Sequence, residues 1–237
     1  MLKIANLSKS FGTHKVIKNV SLTVGSEIRV VLGLNGCGKS TMLKIVAGIL
    51  ASDNGKILID KRDVTALPPE DRHVGYVPQQ ASLFKHLSVR ENIRYCLRNG
   101  RGAEADIDQL VEMLKIENVL DKKPEALSGG FQSRVSLART LASQPHVMLM
   151  DEPLSDLDLA IKEKLIPEFR KVLKKLGIPV LYVTHDLSEA QLLGDRFSCM
   201  IEGVLSDADS AEKAFGLIRE SISDYDLHGP AQHQLRN

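Results

Sequence analysis

Nothing in this 237-residue chain approaches the roughly 18 consecutive apolar residues that a membrane-spanning helix needs. Its start, Met1-Leu2-Lys3-Ile4-Ala5-Asn6, lacks the apolar stretch of a signal peptide, so a cytoplasmic location is expected. Net charge is nearly absent as well. The 31 lysines and arginines against 30 acids leave +1, and no global field draws the chain towards nucleic acid or an anionic membrane. That excludes a basic binding tail, though not a local anion site. Glycine (17) and proline (9) are too scarce for a low-complexity or collagen-like chain. The three cysteines, Cys37, Cys96 and Cys199, are odd in number, widely spaced and without zinc spacing, which suits a reducing compartment. No internal repeat is present. What remains is an ordinary soluble composition, 43% hydrophobic and 26% charged, long enough for one large domain or two small ones at about 150 residues each.

Hydrophobic runs alternate with helical patterns along most of the length, which predicts an α/β fold. Ile28 to Leu32, Lys56 to Asp60, Gly75 to Val77, Val147 to Asp151, Val180 to Thr184 and Phe197 to Ile201 read as strands. Several are continuously apolar, as strands buried on both faces are. Leu2-Lys3-Ile4 and Ser21-Leu22-Thr23-Val24, with Gly12 and Gly25 as breaks, predict an antiparallel ribbon against the main sheet. From about Ser82 to Ser143 only helix-like spacing is found, in Leu87 to Leu97, Ile107 to Leu114 and Arg134 to Ala142. This block is expected to be a helical subdomain inserted into the α/β pattern. After Gly203 the pattern weakens, and Gly229 to Asn237 is polar and expected to be loose.

The strongest motif is Gly33-Leu34-Asn35-Gly36-Cys37-Gly38-Lys39-Ser40-Thr41, which fits G-x-x-x-x-G-K-[ST]. A strand precedes it, and a helix pattern carried by Met42, Leu43, Ile45, Val46 and Ala47 follows. Glycines let the backbone wrap a phosphate chain with its N–H groups inward, and the helix N-terminus adds positive potential there. Lys39 can reach β- and γ-phosphates, and Ser40 can ligate Mg²⁺. A second element must hold the metal. Val147 to Glu152 is a buried strand ending in two carboxylates, of which Asp151 can bind Mg²⁺ directly or through water. Glu152 can then polarise an attacking water beside the γ-phosphate. An acidic strand cap before Pro153 would be the better reading of this pair were there no phosphate loop.

Leu127-Ser128-Gly129-Gly130-Phe131-Gln132 follows the phosphate loop and precedes the Asp151 strand. With these motifs in this order, residues 1 to 205 resemble the ATP-binding cassette (ABC) ATPases, the motor subunits of ABC transporters. The resemblance implies a P-loop NTPase core with a parallel-rich sheet, an N-terminal antiparallel β subdomain and a helical subdomain over about 82–143. Residues 206–237 are left as a short C-terminal tail. It implies that Ser128, Gly129 and Gly130, opening a helix, serve the γ-phosphate held by a second copy, two cassettes sandwiching two ATP molecules. Phe11 falls where family members stack an aromatic ring on adenine, although a core phenylalanine near a turn is a rival reading. Gln79 aligns with the glutamine that senses Mg²⁺ and the attacking water, with Gln80 one residue away. Ser155-Asp156-Leu157-Asp158 resembles the loop crossing between cassettes, and His185 the switch histidine that hydrogen-bonds the γ-phosphate. Three positions depart from the common pattern: Phe131 where glutamine is usual, Asp156 where a small residue is usual, and Cys37, whose side chain is expected to point away from the phosphates. None removes a group the chemistry requires.

The run Pro68 to Gln79, then Leu83 to Asn92, resembles the importer ATPases for oxyanions, polyamines, ferric iron and sugars. That resemblance implies transmembrane permease subunits as partners, a substrate-binding protein in the same system, and a cytoplasmic cassette held peripherally at the inner face of the membrane. Leu83, Phe84 and Leu87 are candidates for a groove receiving a permease helix, with internal packing of the helical block as the alternative. Many such importers add a C-terminal regulatory barrel, for which the 32 residues after Leu205 leave no room. The second function class is a soluble cassette ATPase of repair, translation or cofactor assembly. Near-neutral charge and the lack of a long coiled-coil insertion speak against the first two of these.

Overall fold

A computed structural model describes residues 1–228, with side chains through Ile222; the stretch Gly229 to Asn237 lies outside the described residues. Strands β1 (Leu2–Phe11), β2 (His14–Val24), β4 (Asn54–Ile59) and β5 (Arg62–Asp63) form an antiparallel sheet in the order β2-β1-β4-β5. Alternation drives it: Leu2 and Ile4, then Leu7, are buried on β1, facing Leu22 and Val20 of β2. The step from four to seven breaks the period of two, and the register shifts there, with Asn6 at φ 52° and Asn19 at φ 54°. The ribbon is therefore longer than the short runs predicted, and the Lys56 to Asp60 run belongs to it rather than to the main sheet. β5 is exposed on both residues, so no hydrophobic pattern announces it.

The second sheet has the order β10-β9-β3-β8-β7-β6, built from β3 (Ile28–Gly33), β6 (Val74–Val77), β7 (Val147–Asp151), β8 (Val180–Thr184), β9 (Arg196–Ile201) and β10 (Val204–Ala208). All pairings are parallel except β9 with β10. β3, β7 and β8 are buried along their whole length, the condition under which continuous apolar strands are stable. Their alternate residues feed two cores. Val31, Leu149 and Val183 face α1 (Lys39–Val46) and the antiparallel sheet, while Val30, Met150 and Tyr182 face the remaining helices.

Those helices include the inserted block, α2 (Val89–Ile93), α3 (Glu104–Leu114) and α4 (Gly129–Leu141). Ser88 and Glu91 close a reciprocal capping box at the start of α2. Buried Asn92 ties the preceding loop by donating to the carbonyls of Phe84, Leu87 and Ser88 and accepting from Phe84 N–H. This corrects the groove reading: Leu83 and Leu87 are buried in the core. Phe84 is half-buried, its ring 4.5 Å from that of Tyr95 and 5.1 Å from the Arg139 guanidinium carbon.

The segment after Gly203 is more structured than its sequence pattern suggests. A turn at Glu202 (φ 46°) and Gly203 (φ 81°) folds β10 back onto β9, and the boundary placed at 205 falls inside β10. α7 (Ala211–His228) then buries Ala211, Ala214 and Ile218 in the main core, beside α5 (Leu159–Leu176) and α6 (Leu187–Leu193). Two of those three contacts are alanines, so the helical stripe is faint on any hydrophobicity scale. No helix among the described residues is long and apolar enough to cross a membrane.

Candidate active site

Four neighbouring strands end at one place. β3 leads through Gly33 into the loop 34–38, and α1 starts at Lys39 behind Gly38, whose φ of 112° a side chain rarely adopts. A Cβ on Gly38 would lie 2.9 Å from the Val16 carbonyl oxygen, and one on Gly33 2.7 Å from that of Met200. The loop is thus packed too closely for anything but glycine at either position. Arg72 secures the far end of α1, donating to the carbonyls of Ile45 and Val46 as well as Leu67 and Thr65.

Lys39 is 4% exposed and donates to Gly33 O (2.8 Å) and Leu34 O (3.0 Å), with Glu152 Oε1 at 3.1 Å. Glu152 stands just beyond β7 in the left-handed region (φ 48°), and its other oxygen, Oε2, lies 2.6 Å from His185 Nδ1 at the end of β8. One carboxylate thus spans an ammonium and an imidazole. Asp151 is also saturated. Oδ1 accepts from Ser40 Oγ (2.7 Å) and Oδ2 from the Tyr76 hydroxyl (2.8 Å). Burial, then the adjacent Asp151 charge, push the Tyr76 pKa above its ordinary value, which keeps that hydroxyl a donor.

Asn35, Gly36, Gly38, Lys39, Ser40, Thr41, Gln79 and Glu152 enclose a cavity of about 260 Å³. Gln79, not Gln80, faces it, and its amide donates to Ser155 Oγ at 3.2 Å. A larger cavity, about 670 Å³, lies against the outer side of the same loop, between His14, Val16, Met200 and Ile218. Cys37 lines that one and not the phosphate side, so its thiol points away as expected. Burial raises the thiol pKa, with Lys39 opposing. Lys39, the Ser40 and Thr41 hydroxyls and the Glu152 carboxylate converge on the smaller cavity.

Two predicted groups stay apart from this cluster. Phe11 is 51% exposed at the end of β1, which removes the core-packing reading, and Lys9 Nζ stands 5.6 Å from its ring centroid. Ser128 caps α4 without a side-chain bond to it, is exposed together with Gly129, and none of the three signature residues lines the phosphate cavity. Gly130 packs towards Ile161. Phe131 is half-buried against the core, and Gln132 turns back to donate to the carbonyls of Pro124 and Leu127. Asp158 caps α5 and remains exposed beside Leu159.

Sequence reasoning missed two supports. Tyr76 sits in an apolar strand with no spacing to mark it. The other is a buried network behind His185: Glu189 Oε2 accepts from Tyr182 (2.7 Å) and Thr184 (2.9 Å), and Oε1 pairs with Lys162 Nζ at 2.8 Å. Lys162 also reaches Asp186 at 3.2 Å, so the residues on both sides of His185 are held.

Residues 17–155 match the family model described as ABC transporter. The chain is 42% identical over 209 residues to a molybdate/tungstate import ATP-binding protein of Archaeoglobus fulgidus, covering 87% of each. It is 39% identical over 210 residues to a spermidine/putrescine import ATP-binding protein of Aliivibrio fischeri, covering 86% of this chain and 56% of that protein. Among solved structures, the dimeric ABC transporter cassette MJ0796 superposes with a TM-score of 0.78 at 30% identity, over 89% of this chain and 99% of that one. The strand order, the phosphate loop and these likenesses agree: the chain belongs to the ABC transporter family and is one of its ATP-binding cassettes, an ATPase.

Proposed function

We propose that this cassette is the ATP-hydrolysing subunit of an importer for a small solute or inorganic ion, working as a pair beneath transmembrane permease subunits. A substrate-binding protein supplies the cargo, and the cassette is held at the inner face of the membrane through the permease. The relatives' names support import, and nothing in the fold favours the soluble alternative. The helical block at 82–143 is inserted into the catalytic unit, whose core Ala211, Ala214 and Ile218 of α7 complete.

The observation that carries the mechanism is the contact of Glu152 with both Lys39 and His185. Entering phosphates take over Lys39, whose present partners are two carbonyls and Glu152, and the backbone N–H groups of Gly36, Gly38, Ser40 and Thr41. The γ-phosphate likewise takes over His185. Glu152 is then the free carboxylate next to the γ-phosphate, and it accepts a proton from water as the water oxygen attacks phosphorus and the bond to the bridging oxygen breaks, releasing ADP and phosphate. Ser40 and Gln79 line the cavity and Asp151 stands behind Ser40, and the hydroxyl, amide and carboxylate oxygens they offer are hard donors that fit Mg²⁺. Bound there, Mg²⁺ would supply charge neutralisation to the phosphate chain. Phe11 supports the adenine ring from outside the cavity. Because Ser128 to Gly130 do not line the cavity of their own phosphate loop, they serve that of the second copy.

Glu152→Gln tests this reading. The amide keeps the shape but accepts no proton, so turnover falls by about 10²–10⁴-fold while ATP binding persists. Light scattering after size exclusion, in ATP and then in ADP, should show a dimer in ATP alone. An unchanged hydrolysis rate, or equal dimer fractions in both nucleotides, refutes the assignment.

A further inference from the structure

We infer that Tyr76 is a positioning residue for the metal: its hydroxyl fixes one oxygen of Asp151 so that the other is presented towards Ser40 and the phosphate chain. The inference rests on the reading of Ser40 and Asp151 as the metal-holding pair. Asp151 is 4% exposed, and each of its oxygens has one hydroxyl partner, Ser40 on Oδ1 and Tyr76 on Oδ2. The last side-chain torsion of an aspartate is broad and nearly two-fold. A single bond through Ser40 would leave the carboxylate free to swing about it; a second bond on the opposite oxygen removes that freedom. When Ser40 turns its hydroxyl oxygen to a cation, Tyr76 becomes the remaining side-chain donor on Asp151 among those described.

Tyr76 is itself held. The register places it opposite Leu149, with Val77 opposite Met150, so its ring runs beside the last residues of β7. The ring packs against the core shared with α1. A phenylalanine keeps that packing and removes only the hydroxyl. The chain leaving β6 reaches Gln79 at the cavity two residues past the strand's end, so this segment contacts the metal pair at Tyr76 and the reaction space three residues later.

The test is Mn²⁺ binding, followed by electron paramagnetic resonance in the Glu152→Gln background so that ATP survives the titration. Tyr76→Phe should raise the Mn²⁺ dissociation constant of the ATP-loaded protein by about 10–100-fold, the usual effect of losing a group that orients a ligand. Affinity for metal-free ATP should change less than about twofold, since Tyr76 is not among the cavity-lining residues. A residue that merely supports the fold would move the two affinities together. Asp151→Asn is run in parallel, with Ser40→Ala in its place if that protein does not fold. Mn²⁺ affinity unchanged in Tyr76→Phe but lost in Asp151→Asn overturns the role of Tyr76 alone. Affinity unchanged in both overturns the metal site itself.

Discussion

Removing the charge of Glu189 is the sharpest test of how His185 is held. Glu189→Gln keeps volume and one carbonyl-type oxygen, which still accepts from Tyr182 and Thr184. What it loses is the partner of Lys162, an ammonium only 11% exposed, and an amide N–H now points at it. Breaking one side of a buried pair costs about 3–5 kcal/mol. Asp186, 3.2 Å from the same ammonium, retains part of the compensation, so the lower figure applies. For a chain of this size, about 3 kcal/mol lowers the melting temperature by about 6–12 °C. The pKa directions agree with this. Burial alone would depress Lys162, yet Glu189 and Asp186 raise it above the ordinary lysine value. The assay is thermal unfolding of the nucleotide-free protein in a double-mutant cycle with Lys162→Met. Removing both charges should be less harmful than the two single losses combined, with a coupling of about 1–3 kcal/mol. A melting temperature within about 2 °C of wild type for Glu189→Gln, or no coupling, refutes the argument.

Two further outcomes are expected. Gly38→Ala forces a side chain into a φ of 112° and against the Val16 carbonyl, so ATP affinity should fall at least about tenfold, measured by equilibrium binding of a fluorescent nucleotide. Wild-type affinity would show that the loop does not need this backbone. In acid, the partial burial of Asp186 and Asp195 raises their pKa, but N–H donors and lysine or arginine partners hold both below the usual carboxylate range. Their stabilisation is present above the unfolded value and is lost as pH falls through the folded one. The urea midpoint should therefore be flat from about pH 7 to 5 and drop below about pH 4; a midpoint unchanged at about pH 3 contradicts it.

The parts of the fold that were readable from sequence are those with an unmixed signal. β3, β7 and β8 are buried from end to end and apolar at most positions because both faces are covered, and the glycine-lysine loop has one chemical use. The last hairpin was hidden because its turn is Glu202-Gly203 rather than an asparagine or aspartate with glycine, and α7 because its fully buried positions are Ala211, Ala214 and Ile218 while the larger Phe215 and Leu217 are only half-buried. Leu83 and Leu87 misled for the opposite reason: apolar residues in a loop look available to a partner, and only Asn92, a polar residue several positions on, folds that loop inward. Site residues were legible one by one, but their partnerships were not. Neither Tyr76 with Asp151 nor Lys162 with Glu189 follows from spacing, since the members of each pair lie on different elements.

What joins those elements is strand order. Along the chain the site residues run Lys39, Gln79, Asp151 and Glu152, then His185. Across the sheet the order is β3-β8-β7-β6, which places His185 next to the phosphate loop, then the two carboxylates, then Gln79. With strands spaced about 4.8 Å apart, the four strand ends cover about 14 Å. The groups proposed to sense and cleave the γ-phosphate, His185 and Glu152, therefore occupy the two central strands, flanked by the loop that grips the phosphates and by the glutamine joined to the helical block. Both central strands are fully buried, and their ends are cross-tied by Glu152 N–H to Val183 O at 3.1 Å. Because β6 is the edge strand, a displacement of Gln79 would leave the tie between Glu152 N–H and Val183 O intact, whereas a shift of β7 against β8 would break it. On the proposed reading the chemistry is thus anchored at the buried middle of the sheet, with Gln79 at its margin.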